Sequence, residues 1–227
     1  MPMTEAEEDA FKLLDKAGRM NHKREHRAAR QVIIEHESMK SELSKKFIGF
    51  YKYMHQSPKR FLGLTIQHHA KEISLLVAKY EAKTLLDYGS GKGMQYLSLR
   101  VHEQWGGILP HCYDPGVFGI HKKPRERRTS DSPDHLAIFD GVICCDVMEH
   151  IPEPLIPDTV EEIMSMASKF AYVNVALSPA GKNLPNGENA HVTLKPKEWW
   201  VNQFAEHING KELILSFSSK DDDDETM

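Results

Sequence analysis

The sequence predicts an α/β fold in which a doubly wound, mostly parallel sheet follows a helical N-terminal extension. Apolar residues recur at helical spacing over residues 1–82. From residue 83 onward, short apolar runs alternate with amphipathic segments, and a Gly-rich turn follows the first run. Strands that alternate with helices favour a parallel sheet, because each helix returns the chain to the edge where the next parallel strand begins.

The predicted elements follow in order along the chain. In the extension, residues 1–82, Ser57-Pro58 interrupts the helical pattern. Strands are predicted at 84–88, 108–113, 139–145, 170–177 and 212–217, and helices near 94–101, 153–168 and 196–208. The α/β domain therefore covers 83–218. Residues 219–227 contain four consecutive aspartates and are predicted to be a disordered acidic tail.

Composition excludes several classes of protein. Of the 227 residues, 40% are hydrophobic and 27% are charged, which is enough for a core without disulfides or metals. The three cysteines are odd in number, so a reducing cytoplasmic location is expected. No run of 18 apolar residues predicts a membrane span, and the acidic N-terminus lacks a signal core. The net charge of −4 disfavours a strongly basic nucleic-acid-binding domain.

The Gly-rich turn follows the first predicted strand, and the two together read LLDYGSGKG over 85–93. Glycine permits positive φ and close approach to a ligand, and a turn at this edge of a parallel sheet forms a nucleotide-sized crevice. The segment lacks the GxxxxGK[ST] pattern of a phosphate loop, and the third glycine of GxGxxG would fall on Met94. Asp87 places a carboxylate ahead of the glycines, which suits a ligand that is cationic there.

LLDYGSGKG resembles motif I of the class I S-adenosylmethionine-dependent methyltransferases, which have a Rossmann-like fold. Asp114 matches their ribose-binding acid, and FDGVICCDVMEHIPEPL matches their fourth strand and the turn after it. The resemblance implies a methyltransferase with S-adenosyl-L-methionine as cofactor. The residues that it implies for cofactor binding are Asp87, Tyr88, Gly89, Ser90, Gly91, Asp114, Pro115, Cys145 and Asp146.

More narrowly, YDPG, DVMEHIPE and LPNGENAHVTLKPKEWW resemble a largely uncharacterised group of bacterial and phage methyltransferases with YDP, DVLEH and NAH…EWW patterns. Two features depart from the wider family. The segment between Asp114 and Phe139 hardly holds a third strand with its helix, so no adenine-contacting acid is assigned. One strand follows the last helix, where the family usually has two. The sheet is expected to be shortened at an edge, which the N-terminal helices or a homodimer partner could complete.

The resemblance also implies that four residues face the transferring methyl as catalytic residues: Asp146, Glu149, His150 and His191. Methyl transfer depends on positioning and on removal of the acceptor's proton, which a carboxylate or an imidazole can perform. The same four residues resemble the E-x-x-E-H…H metal ligands of small-RNA 3′-terminal 2′-O-methyltransferases. A metal-free role is expected, and a divalent-metal site or a structural role stays as an alternative.

The expected function is methyl transfer to an oxygen or nitrogen atom of a small-molecule acceptor, such as a sugar or nucleotide-linked metabolite. Metal-assisted 2′-O-methylation of RNA is the alternative, because a basic run at 121–128 could attract phosphates. A non-catalytic S-adenosylmethionine-binding module is a further alternative, against which the intact glycines and acids argue. Tyr51, Tyr53 or His55 of the extension could also reach an acceptor. No membrane partner is expected.

Overall fold

A computed structural model describes residues 30–31, 33–126 and 135–219. The chain divides into two compact units, Met1–Leu43 and Ser44–Met227. In the smaller unit, residues 33–43 are helical. The larger unit begins with helix α1, residues 44–55, which ends just before Ser57-Pro58 as predicted. Most of the predicted acidic tail and the first 29 residues lie outside the described residues. None of the described helices is long and apolar enough to span a membrane.

Seven strands form two sheets in the described residues. They are β1 (Leu85–Tyr88), β2 (His111–Tyr113), β3 (Arg125–Glu126), β4 (His135–Leu136), β5 (Phe139–Cys145), β6 (Ala167–Ala176) and β7 (Glu212–Ser218). The main sheet has the order β2-β1-β5-β6-β7, and all its strand pairs are parallel. The predicted α/β class and parallel sheet are therefore confirmed.

Helices cover both faces of the main sheet. After α1 come the helices α2 (Ala70–Lys79), α3 (Met94–Leu97), α4 (Ile156–Met166) and α5 (Lys197–Ala205). On one face, Ile73 of α2 packs in a cluster with Leu85 and Phe170 of the sheet. On the other face, α4 and α5 contribute Val160 and Trp200 to a second buried cluster. Burial from both sides explains the long apolar runs of β5 and β6.

Two segments differ from a regular alternation of strands and helices. The predicted helix over 94–101 is only the four-residue α3, because Arg100 has a left-handed φ of 52° and a short 3-10 helix, Val101–Trp105, follows. Between β2 and β5, the described residues contain no further parallel strand and instead form the antiparallel β3–β4 pair. The main sheet of the described residues is thus limited to five strands.

The topology fixes where a ligand site can form. From β1 the chain continues to β2 on one side, whereas β5 pairs with β1 on the other side. The strand order therefore reverses at β1, and the loops that leave the carboxyl ends of β1 and β5 diverge. In open α/β sheets such a switch point is the usual position of a ligand crevice.

Candidate functional site

The Gly-rich loop at the end of β1 is held against the end of β2. The backbone N–H groups of Gly89 and Ser90 both donate to the carbonyl of Tyr113, at 2.7 and 3.1 Å. Gly89, Gly91 and Gly93 all have positive φ, between 57° and 80°. A Cβ on Gly91 would lie 2.6 Å from the carbonyl oxygen of Phe61. Glycine is therefore required both by the loop conformation and by the close approach of the Phe61 backbone to Gly91.

Asp87 is buried at the start of this loop, and two side chains of α3 donate hydrogen bonds to its carboxylate. Its Oδ2 accepts hydrogen bonds from Gln95 Nε2 at 2.8 Å and from the Tyr96 hydroxyl at 2.9 Å. Burial raises the pKa of Asp87 to about 6. The carboxylate therefore joins the loop to α3, in addition to any ligand that it contacts.

Asp114 follows β2 and faces the glycine loop. Its Oδ2 accepts a hydrogen bond from Gly91 N at 3.0 Å, and its Oδ1 accepts one from Gly116 N at 2.8 Å. Burial raises the pKa of Asp114 to about 6. We call Asp87, residues 89–93 and Asp114 the cradle. It brings together two carboxylates and three left-handed glycines at the switch point of the sheet.

Four further residues predicted to bind the cofactor, Ser90, Pro115, Cys145 and Tyr88, lie within the cradle or next to it. Ser90 is buried within the loop, and Pro115 is half-buried beside Asp114. Cys145 is half-buried at the end of β5, and burial holds its thiol pKa well above the usual range. The Tyr88 side chain lies in the core beneath α4, where its hydroxyl donates to Glu162 Oε1 at 3.3 Å. Only the backbone of Tyr88 belongs to the loop.

The four predicted catalytic residues, Asp146, Glu149, His150 and His191, converge at the carboxyl end of β5. One potential ligand atom from each lies within 4.8 Å of all the others. Asp146 follows β5 with a left-handed φ of 60°, and a 3-10 turn, Met148–His150, supplies two of the other residues. His191 comes from the loop after β6, and its Nε2 is 3.9 Å from Asp146 Oδ1. We call these residues the four-residue centre.

Backbone carbonyls orient both imidazoles of the four-residue centre. His150 Nδ1 is 2.9 Å from the carbonyl of Ala190, and His191 Nδ1 is 2.6 Å from the carbonyl of Ser178. A carbonyl only accepts hydrogen bonds, so Nδ1 carries the proton in each ring and Nε2 keeps its lone pair. Metal-ligating histidines are commonly fixed in this way. Burial lowers the pKa of His150 to about 4, which keeps that ring neutral near pH 7.

The two carboxylates of the centre differ in their surroundings. Glu149 is fully buried, and its Oε1 accepts a hydrogen bond from Ala176 N at 2.9 Å, whereas its Oε2 has no partner. Burial and the neighbouring Asp146 charge raise the pKa of Glu149 well above its usual range. Despite burial, interactions with Glu149, with the two imidazoles and with the Thr65 hydroxyl, which donates to Oδ2 at 3.3 Å, lower the pKa of Asp146. Two carboxylates, one of which has an unpartnered buried oxygen, and two Nε2 atoms fit a divalent cation.

Asn189 holds the loop that delivers His191. Its Oδ1 accepts hydrogen bonds from the backbone N–H groups of Ala180 and His191, both at 3.0 Å, and its Nδ2 donates to the carbonyl of Ala180 at 2.9 Å. The asparagine thereby closes residues 180–191 into a compact loop. Asn189 was not among the predicted site residues, although its position two residues before His191 in the NAH motif was a usable signal.

Helix α1 and the segment after it form a further wall of the site. The Tyr51 hydroxyl is 3.0 Å from His150 Nδ1 and donates to the carbonyl of Ala190 at 3.2 Å. His55 lies near the cradle, with Nε2 3.7 Å from Asp114 Oδ1. Phe61 packs against both of these aromatic side chains. Of the three residues left open by the sequence, the structure therefore places Tyr51 and His55 at the site, whereas Tyr53 is 63% exposed.

This chain matches no protein-family model, and neither curated proteins nor solved structures gave a significant match. The parallel α/β fold and the convergence of the four-residue centre are features of the structure itself. The cofactor and the activity stay predictions.

Proposed function

We propose that this protein is an S-adenosylmethionine-dependent methyltransferase that acts on an oxygen or nitrogen atom of a small-molecule acceptor. The observation that carries the proposal is the cradle at the switch point of the parallel sheet. Asp114 accepts a hydrogen bond from Gly91 there, so the glycine loop and the acid of the second strand form one unit. This arrangement suits a ligand with polar hydroxyls that lies across the ends of β1 and β2.

The residues present fit the proposed cofactor. Asp114 keeps lone pairs for ribose hydroxyls, because each of its oxygens accepts only one of the backbone hydrogen bonds described above. Asp87 offers negative charge near the cationic methionine end, as LLDYGSGKG implies. S-adenosylmethionine would supply an activated methyl group on a sulfonium. The chain itself would bind the two reactants, align them and accept the proton that the acceptor loses.

Proton acceptance is assigned to the four-residue centre, next to the cradle. His191 Nε2 lies 3.9 Å from Asp146 Oδ1, so this carboxylate can stabilise the imidazolium that forms when Nε2 accepts a proton. The fixed Nδ1 proton leaves Nε2 as the basic atom. His191 is therefore the proposed general base in a metal-free mechanism, and Asp146 is its partner.

A second candidate function is metal-assisted methylation of a ribose hydroxyl, as in RNA 2′-O-methylation. The observation that favours it is the set of four ligand atoms within 4.8 Å, with both Nδ1 atoms turned away toward carbonyls and Glu149 Oε2 unpartnered. Asp146, Glu149, His150 and His191 would then hold the cation. A bound divalent cation lowers the pKa of a coordinated hydroxyl and so replaces the general base.

The test is a methyl-transfer assay with methyl-labelled S-adenosylmethionine, small-molecule extract in one arm and total RNA in the other. Each arm is run with added Mn²⁺ and with EDTA. Chelator-insensitive label in the small-molecule fraction is the result expected for the first function. Chelator-sensitive label in RNA supports the second function and overturns the first. Cofactor binding without transfer in either arm would indicate a non-catalytic binding module.

Two variants assign the activity to the site. His191→Ala should abolish transfer under both mechanisms, because it removes either the base or a ligand. His68→Ala is the matched control, since His68 is an exposed histidine on the 3-10 helix Leu64–His69. Equal activity of His191→Ala and the control would contradict both functions.

A further inference from the structure

His55 is a half-buried residue whose two ring nitrogens both lack a close hydrogen-bond partner among the described residues. Its side chain is 8% exposed, and Nδ1 is buried without a partner. Nε2 is 3.7 Å from Asp114 Oδ1, which is beyond the range of a direct hydrogen bond. Burying polar atoms without hydrogen bonds costs free energy, so such atoms in a folded protein call for an explanation.

Close packing holds His55 in this position. The ring lies against Phe61, with centroids 5.1 Å apart. A Cβ on Gly116 would lie only 2.8 Å from His55 Cδ2, so the Asp-Pro-Gly turn admits the imidazole because it carries no side chain there. Phe61 on one side and Gly116 on the other therefore hold the imidazole close to the Asp114 carboxylate.

The chemistry of the pair suits hydroxyl groups. Burial lowers the pKa of His55 to about 4, so the ring is neutral near pH 7 and presents one N–H and one lone pair. Asp114 Oδ1 is an acceptor. A separation of 3.7 Å is short enough for one hydroxyl to bond to both groups. Ribose offers two adjacent hydroxyls, each a donor and an acceptor.

We propose that His55, from the N-terminal helix α1, is a cofactor-binding residue that hydrogen-bonds the ribose hydroxyls of the S-adenosyl ligand together with Asp114. This inference rests on the proposed function. It makes α1 a part of the cofactor site, in addition to the loops of the parallel sheet. It also gives His55 Nε2, the ring nitrogen beside Asp114, a hydrogen-bond partner.

The test is calorimetric binding of S-adenosylhomocysteine and of its 2′-deoxy and 3′-deoxy analogues to the full-length protein. In the wild type, loss of the shared hydroxyl removes one hydrogen bond to the charged Asp114 and one to neutral His55, worth about 20-fold and about fivefold, so binding should weaken about 100-fold. In His55→Phe, S-adenosylhomocysteine should bind about fivefold more weakly, and the penalty for that deoxy analogue should fall to about 20-fold. His55→Gln, which can hydrogen-bond, should recover part of the affinity.

His68→Phe is the matched control, because it makes the same change at an exposed histidine and should leave all three affinities unchanged. His55→Leu repeats the comparison if the phenylalanine variant does not fold. Deoxy penalties that stay the same without His55 would overturn the inference, as would tighter binding, which would mean that the imidazole obstructs the site. A wild type that binds no S-adenosylhomocysteine would overturn the proposed function itself, and this inference with it.

Discussion

The cradle and the four-residue centre lie at the same edge of one sheet, but their carboxylates differ in the hydrogen bonds that they accept. In the cradle, Asp87 accepts two hydrogen bonds from side chains of α3, and Asp114 accepts two from backbone N–H groups of the loops beside it. In the centre, Asp146 and Glu149 face each other, and Glu149 Oε2 has no partner. The hydrogen bonds of the cradle acids therefore stabilise the fold, whereas the centre places two acids close together and leaves one buried oxygen unpartnered among the described residues.

The largest expected effect is on Mn²⁺ binding at the four-residue centre. Under the metal-assisted mechanism, replacing His191 by alanine should weaken Mn²⁺ binding at least 100-fold, more than the 10- to 100-fold effect typical of residues that only support a metal ligand. Mn²⁺ binding can be followed by electron paramagnetic resonance of the free ion. His68→Ala serves as the control. Unchanged Mn²⁺ affinity in the His191 variant would leave the centre without a role in metal binding.

The next largest effect is on ligand binding at the cradle. Asp114→Asn keeps the shape of the side chain but removes its charge, so the hydrogen bonds from ribose hydroxyls lose their charged acceptor. Because hydrogen bonds to charged groups contribute about 1.5–3 kcal/mol, affinity for S-adenosylhomocysteine should fall roughly 10- to 100-fold. Calorimetry measures this change. Mn²⁺ affinity should stay the same, and a parallel loss of both affinities would show that the two regions are not separate.

A third prediction contrasts the two regions by stability. Asp87→Leu should lower the free energy of unfolding by about 1–3 kcal/mol, because Gln95 and Tyr96 lose their buried acceptor. Glu149→Gln should raise it by about 1 kcal/mol in protein treated with EDTA, because one of two facing carboxyl groups is replaced by an amide that still accepts from Ala176. Urea unfolding measures both. Destabilisation of equal size in the two variants would remove the contrast.

The smallest effect is the pH dependence of cofactor binding. Asp114 has a pKa of about 6 in the folded protein, so it is ionised at pH 7.5 and mostly protonated at pH 5.5. The ionised carboxylate is the better acceptor, and affinity for S-adenosylhomocysteine should therefore fall about fourfold over this range. Calorimetry at the two pH values tests this expectation. In Asp114→Asn the dependence should be weaker, and an affinity that rises on acidification would contradict the assignment.

Much of the fold was predictable because it depends on local patterns. The strand at 139–145 coincides with β5, since a fully buried parallel strand is a continuous apolar run. The helix predicted over 94–101 was too long, because apolar spacing does not reveal that α3 ends at Leu97 or that Arg100 adopts a left-handed φ before the next 3-10 helix. The β3–β4 pair lies in a polar segment where the sequence gives no periodic signal.

The site was predictable where a motif carried it. The motif grouped Asp146, Glu149 and His150, whereas no local pattern places His191 beside them, and only the resemblance did so. The sequence could not choose among Tyr51, Tyr53 and His55, because helical spacing defines a face and not the surface that the face meets. The structure resolves this choice, because Tyr51 of α1 contacts His150 and His55 of α1 lies 3.7 Å from Asp114.

The most direct test of the central claim is equilibrium dialysis of the wild-type protein against methyl-labelled S-adenosylmethionine, with Asp114→Asn dialysed in parallel. One molecule should bind per chain of the wild type, and binding should be strongly reduced in the variant. Absence of binding to the folded wild type, or equal binding to both proteins, would contradict the claim that the cradle holds this cofactor.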